Sequence, residues 1–127
     1  MSNETPSVQI DLTPEYKRNL HELAKKYRNI RLDTLSIIEQ LQGGDFIGDR
    51  IPKMGEKYVI LKLRIKNSNI QKGKSAGYRL IYQIESPTSV LLLTIYSKSD
   101  REDISPNEIR SILAEFDAPE EPPTQTG

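Results

Sequence analysis

The sequence contains no cysteine, which excludes disulfides and thiolate metal centres and is compatible with a reducing compartment. It has no tryptophan, two phenylalanines and a single histidine. His21, on a helical stretch remote from the basic strands, reads as a surface residue rather than a general base. No His/Asp cluster offers a ligand set, so no metal or other cofactor is expected. No apolar run approaches the roughly 20 residues that a membrane-spanning helix needs. The opening residues MSNETPS lack both a basic region and an apolar stretch, so no secretory signal is read there. A cytoplasmic location is the resulting expectation. With 127 residues, 35% of them hydrophobic, the chain suits one domain with a modest core.

Net charge is also absent: 18 bases balance 18 acids. That balance argues against a nucleic-acid partner until the positions are considered. Residues 50–98 hold ten bases against two acids, a net of +8, which leaves −8 on the rest of the chain. Such asymmetry points to an anion-binding half and an acidic remainder. A sheet edge guarded by lysines is the plainer alternative.

Periodicity supplies the elements. Val8, Ile10 and Leu12 alternate with polar residues as a first strand. Thr13 and Pro14 start a helix as cap and first helical residue, and Tyr16, Leu20, Leu23, Ala24 and Tyr27 recur at helical spacing. Asn29 interrupts it. A second helix over 31–42 carries a stripe of Leu35, Ile38 and Leu41 and ends at Gly43-Gly44. Residues 45–56 read as a loop. The run KYVILKLRIK, 57–66, is a strand whose Val59, Leu61, Leu63 and Ile65 should pack on the helices. Lys62, Arg64 and Lys66 then project together from its other side. A basic turn containing Lys72, Lys74 and Gly77 leads to a strand over 78–85, a turn over 86–89 and a strand over 90–96. Ser105-Pro106-Asn107-Glu108 forms a capping box for a last helix over 105–116, with Ile109, Ile112, Leu113 and Phe116 on its stripe. Residues 1–7 are expected to be flexible, and the acidic, proline-rich tail 117–127 to be disordered.

Helices on one side of a sheet are expected to leave its other face open. Arg64 and Arg79 come from neighbouring strands on that face, Lys62 and Lys66 extend the row, and Lys72, Lys74 and Lys98 stand at its ends. An arginine in mid-strand is expensive to bury, so Arg79 should face solvent or a functional surface. Converging cations of this kind would bind a phosphodiester and stabilise charge developing on it. Gly73-Lys74-Ser75 lacks the upstream glycine of a P-loop. Tyr82 reads as core. Tyr96 reads equally as a stacking or acid group and as a packing residue.

The segment GKSAGYRLIYQI followed by LLLTIYSKSDREDIS resembles the RelE/ParE superfamily of toxins from type II toxin–antitoxin pairs, most closely its RelE-like branch, over residues 8–116. The resemblance implies a RelE-like α+β fold: two N-terminal helices on one face of a small, mainly antiparallel twisted sheet, with a short C-terminal helix. It implies a metal-independent endoribonuclease, an mRNA interferase that inhibits translation. Such toxins cut messenger RNA in the ribosomal A site through attack of the 2′-hydroxyl on the adjacent phosphate. Its partner would be a cognate antitoxin, with which it would form an oligomer. The resemblance places the catalytic arginine on Arg79 within GYR, and a basic strand pair on Lys62 and Arg64 within KLR. Lys66, Lys72, Lys74, Tyr96 and Lys98 would bind RNA. Where some relatives carry an arginine after the last strand, this chain has Lys98 and Ser99, and no tyrosine follows Tyr96. Alternative readings are a ParE-like inhibitor of DNA gyrase and a catalytically degenerate member that binds only its antitoxin.

Overall fold

Eight elements follow one another: β1 (Gln9–Leu12), α1 (Pro14–Lys26), α2 (Ile30–Gln42), β2 (Asp49–Arg50), β3 (Val59–Ile65), β4 (Tyr78–Ser86), β5 (Ser89–Ser97) and α3 (Pro106–Asp117). The computed structural model describes residues 7–70 and 76–117. The turn cations Lys72 and Lys74, the N-terminal residues 1–6 and the tail from 118 onward lie outside the described residues. Asp117, expected to be the first residue of the tail, is the last residue of α3.

The strands form one sheet in the order β1-β5-β4-β3-β2. β3, β4 and β5 are an antiparallel meander, as the short turn at Pro87-Thr88 requires, while β1 runs parallel to β5. The architecture is α+β, with a mostly antiparallel sheet. Thr13 couples its first two elements: its hydroxyl oxygen accepts the Tyr16 N–H at 2.9 Å and its O–H donates to the Leu93 carbonyl at 2.7 Å. One buried side chain thus caps α1 and ties it to the sheet.

Period-two alternation sorts the strands into two faces. Leu61, Leu63, Ile65, Tyr78, Leu80 and Tyr82 pack with Tyr16, Ile30 and Leu41 of the two N-terminal helices and with Tyr27 at the end of α1. The Tyr82 hydroxyl donates to the Ile47 carbonyl at 2.6 Å, so its one polar atom is satisfied inside this core. The opposite face was expected to be open and is not. Ile60, Ile81, Leu91 and Leu93 form a second core with Met54, Ile104, Ile109, Ile112 and Leu113. These residues are too apolar to be left in water at about 25 cal/mol per Å², and α3 supplies the cover. Its capping box closes reciprocally, with Glu108 N–H to Ser105 Oγ and Ser105 N–H to a Glu108 carboxylate oxygen, each 3.2 Å. Arg110 donates to the Lys53 carbonyl, fastening the loop around Met54 to the helix.

Three further expectations are corrected. Leu35 was placed on the buried stripe of α2 but is exposed; Ile30, Thr34 and Leu41 are the buried line instead, flanked by Ile37 and Ile38. Phe116 was placed on the stripe of α3 and is also exposed. The stretch 45–56 is not wholly loop, because Asp49 and Arg50 pair with Lys62 and Leu61 as an edge strand. Gly48 permits this approach. Its φ is +119°, and a Cβ there would stand 2.7 Å from the Lys62 carbonyl oxygen.

Candidate anion-binding site

The meander places Arg64, Arg79 and Tyr96 in one row across β3, β4 and β5, each the Cα partner of the next. Tyr96 belongs to this face because of a bulge in β5, where Ile81 pairs with Thr94 but Tyr82 pairs with Leu92. Strict alternation from Val90 and Leu92, both in the helix-side core, would have sent Tyr96 to that side. After the bulge it packs instead with Leu91 and Leu93 of the second core.

Arg79 was expected to face solvent or a functional surface; at only 5% exposed, it does not face solvent. The cover of the second face, together with its two neighbours in the row, encloses it. One guanidinium nitrogen donates to the Tyr78 carbonyl at 3.2 Å. Burial and then the nearby Arg64 charge lower its pKa from the ordinary arginine value, and the group remains cationic at any physiological pH. Arg64 is the accessible member, with its side chain 49% exposed and bonded to Asp49 at 2.8 Å. Lys62 lies two residues along the same face and meets Asp103 at 3.4 Å.

The cations are therefore not bare, as a simple convergence of bases would have them. Each of the two outer ones holds a carboxylate from a neighbouring segment. Asp103 is the more elaborately held of the two. One of its oxygens accepts from the Ile104 N–H at 2.8 Å, from Lys62 at 3.4 Å and from the Tyr96 hydroxyl at 3.4 Å. Burial works to raise its pKa, but the Ile104 N–H and Lys62 outweigh it and hold the carboxyl below its ordinary value. Burial and the adjacent Asp103 charge push the Tyr96 phenol up to about 12. Arg101 lies over the Tyr96 ring, 5.3 Å from its centroid, and is itself held by both oxygens of Glu108 at 2.7 and 2.8 Å. Tyr96 is thus a packed, neutral hydroxyl group at the end of the row.

A groove of about 370 Å³ opens beside Lys62 and Arg64, between the β2 edge and Asp103. Arg50 and Lys53 line it too. Neither was singled out for the site, although both lie in the +8 stretch; only the pairing of β2 with β3 brings them there. The other sequence candidates fall away from it. Lys66 lies beyond the end of β3 and lines a different groove, on the α2 side. Lys98 donates to the Glu102 carbonyl at 3.1 Å, bracing its own loop. Among the described residues no group of three or more His, Cys, Asp or Glu is arranged to hold a metal ion, and no helix is long and apolar enough to cross a membrane.

What this arrangement can do follows from its charges. Two guanidiniums and an ammonium lie on one rigid sheet face, with two further cations along an adjoining groove. Fixed cations in a partly desolvated setting bind phosphate oxygens and stabilise charge that builds on them. Comparison with family models and with curated proteins finds nothing that matches the chain.

Proposed function

We propose that this chain is the toxin of a type II toxin–antitoxin pair, a RelE-like member of the RelE/ParE superfamily that cuts messenger RNA on the ribosome in the cytoplasm. The observation that carries the reading is the row of Arg64, Arg79 and Tyr96 in register on one face, with Lys62 beside it. The GYR and KLR motifs account for Arg79, Lys62 and Arg64, and the meander makes Arg64 and Arg79 direct neighbours, which supports the reading. In the proposed reaction the 2′-hydroxyl of the RNA attacks the adjacent phosphate, the 5′-oxygen leaves, and a cyclic phosphate and a 5′-hydroxyl result. The nucleophile is internal to the RNA, so the protein's task is to hold the phosphate and stabilise its extra negative charge. Arg64 and Lys62 exchange Asp49 and Asp103 for phosphate oxygens, and Arg79 stabilises the charge from below. A cognate antitoxin holds the toxin inactive until it is removed.

The burial of Arg79 favours a second reading, in which the row is structural and the chain is a degenerate member that only binds its antitoxin. Inducing the protein and mapping transcript ends separates the two. Cuts within translated codons, bearing 5′-hydroxyl ends, support the nuclease. Growth arrest with intact transcripts and trapped gyrase–DNA complexes would assign the chain to the gyrase inhibitors. Intact transcripts without arrest would leave the degenerate reading.

A further inference from the structure

The groove beside Lys62 and Arg64 has cations at both ends. The register of β2 places Asp49 against Lys62 and Arg50 against Leu61, and the Ile51 N–H donates to the Ile60 carbonyl at 2.8 Å. Lys53 follows two residues on, so it stands at the end of the groove away from Arg64. The Arg50 guanidinium leans the same way, donating to the Tyr58 carbonyl at 3.5 Å. Between the two ends the walls are apolar, formed by Ile51, Pro52, Ile104 and Pro106.

The two ends differ in what already occupies them. Arg64 is bonded to Asp49 and Lys62 to Asp103. Among the described residues neither Arg50 nor Lys53 is paired with a carboxylate. Lys53 also stands in a backbone conformation that an L side chain rarely adopts. Its φ is +66°, the one positive value outside glycine among the described residues, whereas Gly55 in the same loop reaches φ +86° without strain. Strain kept where glycine or asparagine would relieve it gathers at ligand sites. The position is fixed from both sides: Arg110 of α3 donates to the Lys53 carbonyl, and Met54 is buried in the second core.

We infer that the Arg50–Lys53 end is a second phosphate subsite, so that the groove takes one nucleotide carrying a phosphate on each side. One phosphate lies on Arg64 and Lys62, the other on Arg50 and Lys53, and the sugar and base lie along the apolar walls. Arg50 suits the role through its planar fork, and Lys53 through a point charge held on a fixed backbone. No internal carboxylate has to leave this end before phosphate binds. The volume of about 370 Å³ lies within the ~300–1,000 Å³ of small-molecule sites. That the natural ligand is a nucleotide within an RNA strand rests on the nuclease reading, whereas the subsite itself follows from the charges of the groove.

Isothermal titration calorimetry of the full chain with adenosine 3′,5′-bisphosphate and with adenosine 5′-monophosphate tests the subsite. The bisphosphate should bind roughly tenfold or more tightly, since it makes a further set of charge-assisted hydrogen bonds. In an Arg50→Gln/Lys53→Asn variant the two ligands should bind alike. Both side chains are exposed and asparagine accepts a positive φ, so the unfolding midpoint of this variant should match the parent. Arg50→Gln/Lys53→Gly should behave in the same way, while Lys53→Arg alone should keep the preference. Equal affinities in the parent, or no binding of either ligand, would overturn the second subsite. A preference that survives in either double variant would overturn it too. Transcript mapping decides the nuclease reading separately: uncut transcripts, together with a bisphosphate preference that the double variants lose, would uphold the subsite and overturn the nuclease.

Discussion

Arg64 and Arg79 face each other directly across β3 and β4, in a pair whose backbone groups point away from one another. This is the closer of the two antiparallel geometries, with Cα atoms about 4.5 Å apart in such pairs. Like charges so placed are destabilising. A rigid sheet that tolerates this cost favours an anion between or beside the two guanidiniums, and Asp49 fills part of that role within the chain.

Arg79 is the residue on which the proposed chemistry depends. Arg79→Ala should reduce RNA cleavage by about 10²–10³, the usual loss for one preorganised electrostatic donor, and relieve growth arrest. Arg79→Lys should restore only part of the rate, since an ammonium lacks the planar fork. Circular dichroism checks that both variants fold. Undiminished cleavage by folded Arg79→Ala would remove the residue from the mechanism.

Asp49 and Asp103 are bonded to Arg64 and Lys62, the cations that would hold phosphate in the proposed reaction. Asp49→Asn, and separately Asp103→Asn, should therefore tighten binding of a short single-stranded RNA, as read by fluorescence anisotropy. Each should also steepen the fall of affinity with salt, since one more cation is free to exchange counterions for phosphate. Weaker binding in both variants would mean that the carboxylates position the cations rather than shield them.

Gly77 opens the GYR motif for a steric reason. A Cβ there would lie 2.0 Å from the Ile65 carbonyl oxygen and 3.0 Å from the Asn67 nitrogen, both backbone atoms that cannot swing aside. Gly77→Ala should destabilise the fold by about 1–3 kcal/mol, the range of overpacked cores, in denaturant unfolding. A midpoint unchanged from the parent would show that the β3–β4 junction yields.

Four tyrosines link stability to alkaline pH. Tyr16, Tyr78, Tyr82 and Tyr96 are all raised to about 12 from 10.0, in each case chiefly by burial. A raised folded pKa means that the folded chain holds these protons more tightly than the unfolded one. The associated stability is complete below pH 10 and is lost as pH rises from there towards 12. Tyrosinate absorbance and loss of ellipticity should therefore rise together above pH 10. Ionisation of all the tyrosines near pH 10 with the fold intact would contradict the burial described.

Much of this architecture is written locally. Thr13-Pro14 and the Ser105–Glu108 box mark helix starts through side chains that satisfy backbone N–H groups within three residues. Alternation in KYVILKLRIK and GYRLIYQI assigns Arg64 and Arg79 to one face, because strand geometry leaves no other choice. The bulge in β5 is different, since nothing in VLLLTIY announces it, and it alone puts Tyr96 beside Arg79 rather than in the helix-side core. Asp49, Arg50 and Lys53 reach the site through the pairing of a two-residue strand, Asp49 with Lys62 and Arg50 with Leu61, which leaves no periodicity to read. Composition determined that residues 50–98 carry a surplus of +8. Which of those cations are buried, braced or bonded to a carboxylate was decided by the packing of α3 and the loops around it, because burial and ion pairing depend on neighbours that only the folded chain brings within reach.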